Sequence, residues 1–382
     1  MEIAMRLRTC TCFVAICILI CTARSANACE HSVDSNPYEV IRVTNEKLLF
    51  IKTNLKDLSQ RVWLDGDVLW FAINSPNGPW KTTGGISEQL TQLGDSNFWA
   101  TGLKWDRWAE AFIKVAFYKG DFPTGPMEYI NWRGKHAPPS PKQADPSNVV
   151  TYELIGPDKD KKRNVTVVLP PQYDDKNELP ALVLADGQSA EEWGKIIAAM
   201  INDEKIRPIV VIGVHNGGYQ GDRSQPYDAQ FDIRAREYLE GFDQERFTAH
   251  LSWLIDTVLT DVARRYNISL ERENLAVAGF SNGGAFASSA ALRRGDVFGM
   301  ALALSVGIPP EIEPQVPNAR LSQFFCAAGE LESRFLQQTK TLHDRLSEVG
   351  GEPLLQSFVA GHDAEMWTTA MSEYLPLMFP PE

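Results

Sequence analysis

Residues 275–292 read Leu275-Ala276-Val277-Ala278-Gly279-Phe280-Ser281-Asn282-Gly283-Gly284-Ala285-Phe286-Ala287-Ser288-Ser289-Ala290-Ala291-Leu292. The first four form a short apolar run of strand type, and the last eight are alanine-rich and suit a helix. Between them, Gly279 and Gly283 flank a serine at the spacing that lets the backbone double back from strand to helix without a side-chain collision. Such a turn presents the Ser281 hydroxyl at a strand end. The helix that follows points its N-terminus at any negative oxygen developing there. In this context the stretch is a nucleophile elbow, and it implies an α/β fold.

Apolar runs continue on both sides of the elbow: Val165 to Leu169, Ala181 to Ala185, Ile209 to Val214, Leu302 to Leu304, Phe324 to Ala328 and Leu355 to Ala360. They are apolar throughout rather than alternating, as expected of buried strands in a mostly parallel central sheet. Phe247 to Tyr266 and Arg334 to Val349 have the length and period of crossover helices, so right-handed βαβ winding is expected over 149–382. Upstream, residues 133–148 hold four prolines and read as a linker. Before it, 29–132 carries paired aromatic and branched runs around Asp65-Gly66-Asp67, a hairpin signal, and reads as a small β-sandwich. Seven of the ten tryptophans fall there; packing explains them better than an aromatic ligand platform.

Arg6 and Arg8 precede an apolar run from Phe13 to Ile20, and small residues end at Ala26-Asn27-Ala28. Residues 1–28 therefore read as a signal peptide too short to be retained as a membrane span, and the mature chain is expected to be secreted or periplasmic. Cys29 would then stand first, and a lipid anchor on it is the lesser alternative because Ala26 and Asn27 suit that signal poorly. Only Cys29 and Cys326 lie outside the leader, which excludes a disulfide framework. Cys326, inside an apolar run, reads as a buried thiol. The leader holds three arginines and Glu2, so its removal takes the formal charge from −12 to −14 and argues against nucleic acid or anionic membranes as partners.

A serine hydroxyl needs a general base, and of six histidines only His362 follows the last expected strand. His215, beside Asn216-Gly217-Gly218, is the rival, better suited to a substrate-side or structural role. The order serine, acid, histidine places the acid after Phe324–Gly329, where Glu332 is preferred to Glu330 because the turn after Gly329 gives it reach. Asn282 supplies one oxyanion N–H. The loop Asp186-Gly187-Gln188 supplies the other, with Gly187 allowing close approach and Gln188 as donor. No metal motif links any histidine pair, and no cofactor is expected.

Together, Asp186-Gly187-Gln188, Arg234 to Tyr238, Gly279 to Gly284, Gly329 to Glu332 and Gly361 to Trp367 resemble the esterase branch of the α/β-hydrolases that includes enterochelin esterase. That resemblance spans Val149 to the C-terminus and implies hydrolysis of a carboxylic ester, on a small molecule or linked to a glycan. It also implies an immunoglobulin-like arrangement for the preceding sandwich. By the same resemblance Arg234 and Glu237 shape the acyl side of the pocket, with salt-bridged scaffolding as the alternative for both; Trp367, like His215, is expected on the substrate side. Siderophore trilactones, feruloyl or acetyl esters of plant polysaccharide and simple acyl esters all stay open, as does a non-catalytic binding protein on a hydrolase scaffold.

Overall fold

The computed structural model describes the strands between Cys29 and Arg133 and, with their side chains, residues 107, 109–114 and 131–381 apart from 160, 223–227 and 313–320. The leader 1–28 lies outside the described residues, as do the side chains of Cys29 and of every tryptophan before Trp132. The chain divides into two compact units, Met1–Ala137 and Pro138–Glu382. Strands of the first unit pair only antiparallel, in one three-stranded and two four-stranded sheets. Asp65 faces Val68 across Gly66-Asp67, where the sequence signals a hairpin.

The second unit is built on one eight-stranded sheet. Its strands in chain order are β1 (Asn148–Ile155), β2 (Lys162–Leu169), β3 (Ala181–Ala185), β4 (Val210–Val214), β5 (Leu275–Phe280), β6 (Met300–Leu304), β7 (Gln323–Gly329) and β8 (Leu354–Phe358). Their spatial order is β1-β2-β4-β3-β5-β6-β7-β8. β2 pairs antiparallel with β1 and β4; every other pair is parallel. All residues of β3, β4 and β6 are buried, so both faces of the sheet are covered and the apolar runs need no alternation.

Helices α1 (Ala190–Asn202), α2 (Ile233–Tyr238), α3 (Gln244–Trp253), α4 (Thr260–Tyr266), α5 (Asn282–Arg293), α6 (Ser333–Glu348) and α7 (Ala364–Met378) fill the crossovers. The single helix expected over 247–266 is α3 and α4 joined by a π-helical turn, Leu254–Leu259. Beneath α5 the Phe286 ring meets Tyr238 at 5.0 Å, His250 at 5.2 Å and Phe247 at 5.9 Å. This aromatic layer fixes α5, and with it the turn that carries Ser281. Parallel strands β3, β5, β6, β7 and β8 lie side by side, so the loops at their carboxyl ends form one continuous edge. Ligands of open α/β sheets bind at such edges.

Candidate active site

Ser281 sits where β5 turns into α5, with φ 58° and ψ −123°, a backbone state that costs a non-glycine residue about 1–3 kcal/mol. Its N–H donates to the Leu304 carbonyl at 2.9 Å, and its own carbonyl accepts from Gly307 N at 3.1 Å. Both bonds reach the end of β6, so the strained turn is braced from the neighbouring strand. A Cβ at Gly279 would run into the backbone of Gly283, and one at Gly283 would stand 2.9 Å from Asp186 Oδ2. The glycine spacing is thus demanded by backbone packing. Asn282 opens α5, and the first amides of a helix lack an acceptor within it.

Glu332 lies just past the end of β7 and its side chain is fully buried. One carboxylate oxygen, Oε1, accepts from Gly329 N at 2.5 Å and from the Ser305 hydroxyl at 2.6 Å. The other, Oε2, is 2.5 Å from His362 Nδ1. Glu330 instead is half-exposed, and its N–H donates to the Phe358 carbonyl. Asp363, next to the histidine, caps α7 by accepting from Met366 N. His362 keeps 18% of its side chain exposed; Phe335 stacks on its ring at 3.9 Å, and Trp367 meets it edge-on at 5.0 Å. Trp367 also stacks on Phe280, the neighbour of Ser281, at 4.1 Å with 11° between planes. Trp367 thus packs on both His362 and Phe280, the residue before Ser281.

On the other flank, Asp186 ends β3 in the left-handed conformation, φ 60°. Its N–H donates to Tyr238 Oη at 2.8 Å. Its carboxylate takes the Arg234 fork, Nε and Nη2 each at 2.6 Å, and Asn216 Nδ2 at 2.5 Å. Gly187 packs on the Gly213 backbone so closely that a Cβ would collide. Gln188 is exposed in the short 3₁₀ turn that follows, one residue beyond the buried Gly187.

Other residues picked out in the sequence fall differently. Glu237 is 1% exposed and paired with Arg163 at 2.7 Å, and it accepts from Gly217 N, the salt-bridged arrangement the sequence offers as the alternative to a place on the acyl side. Arg234 spends its fork on Asp186 but remains 24% exposed. His215 bonds Thr166 Oγ1 through Nε2 at 2.9 Å, and burial, then Arg163, holds its imidazole below the ordinary value. Trp367 gives its indole N–H to Ser305 Oγ at 2.8 Å. Cys326 is free and wholly buried, and burial pushes its thiol up to about 12. Phe335 carries no sequence signal, and Ser305 only that of a lone hydroxyl closing the apolar run beside the nucleophile strand; Asn216 follows His215 and Tyr238 closes the Arg234 stretch, yet the sequence assigns neither its contact with Asp186. Among the described residues, no three His, Cys, Asp or Glu side chains group as metal ligands, and no helix is long and apolar enough to cross a membrane.

Residues 158–317 match the family described as "Putative esterase", a span that holds Ser281, Arg234 and Asp186 to Gln188 and stops before Glu332. No curated protein matches the sequence. Among solved structures, the enterochelin esterase of Shigella flexneri is similar at TM-score 0.64 and 15% identity, covering 86% of this chain and 96% of its own. The ferric enterobactin esterase of Salmonella typhimurium is similar at TM-score 0.61 and 17% identity, covering 82% and 94%. At these identities the likeness is one of fold. The family match over 158–317 and the shared fold support a carboxylic ester hydrolase of the α/β-hydrolase type.

Proposed function

We propose that this esterase works through an acyl-serine intermediate, with Ser281 as nucleophile, His362 as general base and Glu332 as the acid that orients it. The carrying observation is the 2.5 Å contact of His362 Nδ1 with a buried carboxylate whose other oxygen is already saturated. With Nδ1–H donating its hydrogen bond to Glu332, the lone pair of the neutral ring is on Nε2, the atom available to a serine. His362 Nε2 takes the Ser281 proton as Oγ bonds to the ester carbonyl carbon. The backbone N–H groups of Asn282 and of Gln188 in the Gly187 turn hold the resulting oxyanion. The C–O bond to the alcohol then breaks, and the alcohol leaves with the proton from Nε2. Water, deprotonated by the same nitrogen, releases the acid and restores Ser281.

The acyl side is proposed to be apolar. Ile308, one residue past the Gly307 that braces Ser281, is 51% exposed, and Phe335 stacks on the histidine. The leader 1–28 supports export, with the mature chain beginning at Cys29. The test is turnover on a panel of short acyl, aryl-acyl, feruloyl and catecholate lactone esters. The expected result is hydrolysis favouring apolar acyl groups and abolished in Ser281→Ala. Turnover that survives Ser281→Ala contradicts the reading.

A further inference from the structure

Ser305 is a fully buried serine at φ 47°, a conformation in which glycine carries no strain. A side chain held at that cost is there for its hydroxyl, and the hydroxyl has two partners. The Trp367 indole N–H is a donor with no acceptor capacity, so the 2.8 Å contact obliges Ser305 Oγ to accept from it. The serine's own hydrogen is then free to point at Glu332 Oε1, 2.6 Å away. Gly329 N reaches the same oxygen, which leaves Oε2 facing His362. The carboxylate's rotation is fixed by a chain of donors that begins at the indole.

Trp367 also links the histidine to the nucleophile turn, stacked on Phe280 beside Ser281 and edge-on to His362. The same strand end that carries Ser305 receives the Ser281 N–H on Leu304. We infer that Ser305 and Trp367 are positioning residues that lock the Glu332–His362 pair to the nucleophile turn, and that Trp367 serves the reaction through this lock rather than by holding substrate. The inference rests on the proposed triad.

Ser305→Gly removes the hydroxyl and relaxes the backbone, while Trp367→Phe keeps a ring on Phe280 and removes only the N–H. Ser305→Gly is expected to lower kcat about tenfold to a hundredfold, the range for losing a hydrogen bond to a charged group, and Trp367→Phe, which loses a bond to a neutral hydroxyl, about twofold to tenfold, each with KM little changed. In proton NMR spectra the His362 Nδ1–H resonance, lying far downfield in the parent, is expected to move upfield in both variants. The double variant should lose little beyond Ser305→Gly, because the chain of donors acts as a unit. A folded Ser305→Gly protein with parental kcat and an unmoved resonance overturns the inference. So does a loss that only tracks the folded fraction. Glu332→Gln, run alongside, separates the two levels: if it retains parental turnover the triad itself fails, whereas an inactive Glu332→Gln beside a fully active Ser305→Gly sinks the positioning role alone.

Discussion

On the proposed acid side of Ser281, Glu332 is held by neutral donors, a serine hydroxyl and a backbone N–H, and aromatic rings flank its partner His362. On the oxyanion side, Asp186 is held by the charged fork of Arg234, and behind it Arg163 and Glu237 form a second buried pair. Both sides use the same backbone device, a non-glycine residue at positive φ on the carboxyl end of a parallel strand: Asp186, Ser281 and Ser305. What differs is the cost of error. Removing one partner of a buried ion pair leaves an uncompensated charge worth about 3–5 kcal/mol, while losing a neutral donor costs nearer 1–3 kcal/mol. The oxyanion side should therefore fail by unfolding and the acid side by misorientation.

The largest expected effect is on the acid side. Glu332→Gln removes the group proposed to fix the imidazole tautomer and steady the imidazolium, and turnover should fall by up to ~10⁴-fold with the melting transition little changed. Glu330→Gln is its control and should stay near the parent. A reversal of the two would move the acid to Glu330 and dissolve the comparison.

The contact of Glu332, rather than Glu330, with His362 was legible because the turn after Gly329 gives Glu332 the reach. The strands were legible for a similar reason: burial on both faces leaves unbroken apolar runs. The elbow was legible because its glycines answer a local backbone collision. What could not be read were pairings across long separations, such as Asp186 with Arg234 or Arg163 with Glu237, 48 and 74 residues apart. Nothing in the local pattern around Glu237 distinguishes a buried scaffold carboxylate from a pocket wall. The π-helical turn at Leu254–Leu259 was invisible as well, since one extra residue per turn hardly disturbs an amphipathic pattern.

A middle-sized effect sharpens the contrast on the oxyanion side. Asp186→Asn keeps a residue that tolerates the left-handed conformation but weakens the clamp on the Gly187 turn. It should lower kcat about tenfold to a hundredfold, less than the ~10²–10³-fold of deleting an oxyanion donor outright. Arg234→Met strands the Asp186 charge and should destabilise the domain by about 3–5 kcal/mol in denaturant titration. Equal stability losses for Arg234→Met and Ser305→Gly would erase the distinction between the two flanks.

The smallest effect concerns pH and again singles out the charged flank. His250 is buried among Tyr238, Trp253 and Phe286, its Nδ1 has no hydrogen-bond partner, and Glu237 Oε2 lies 3.9 Å away. Desolvation lowers its pKa below the ordinary 6.5, against a raising influence from Glu237. The unfolded chain then binds the proton more readily than the folded one. The stabilising contribution is full above pH 6.5 and is lost as pH falls from there toward the folded value. His250→Gln should flatten the fall in melting temperature over that window, and an unchanged slope would assign the acid sensitivity elsewhere.

Covalent capture of the nucleophile tests the central claim most directly. The protein, treated with a fluorophosphonate and digested, is analysed by mass spectrometry. The account predicts one adduct per chain, on the peptide containing Ser281, formed far more slowly in His362→Gln and absent in Ser281→Ala. An adduct on any other residue, or labelling undiminished in Ser281→Ala, would contradict it.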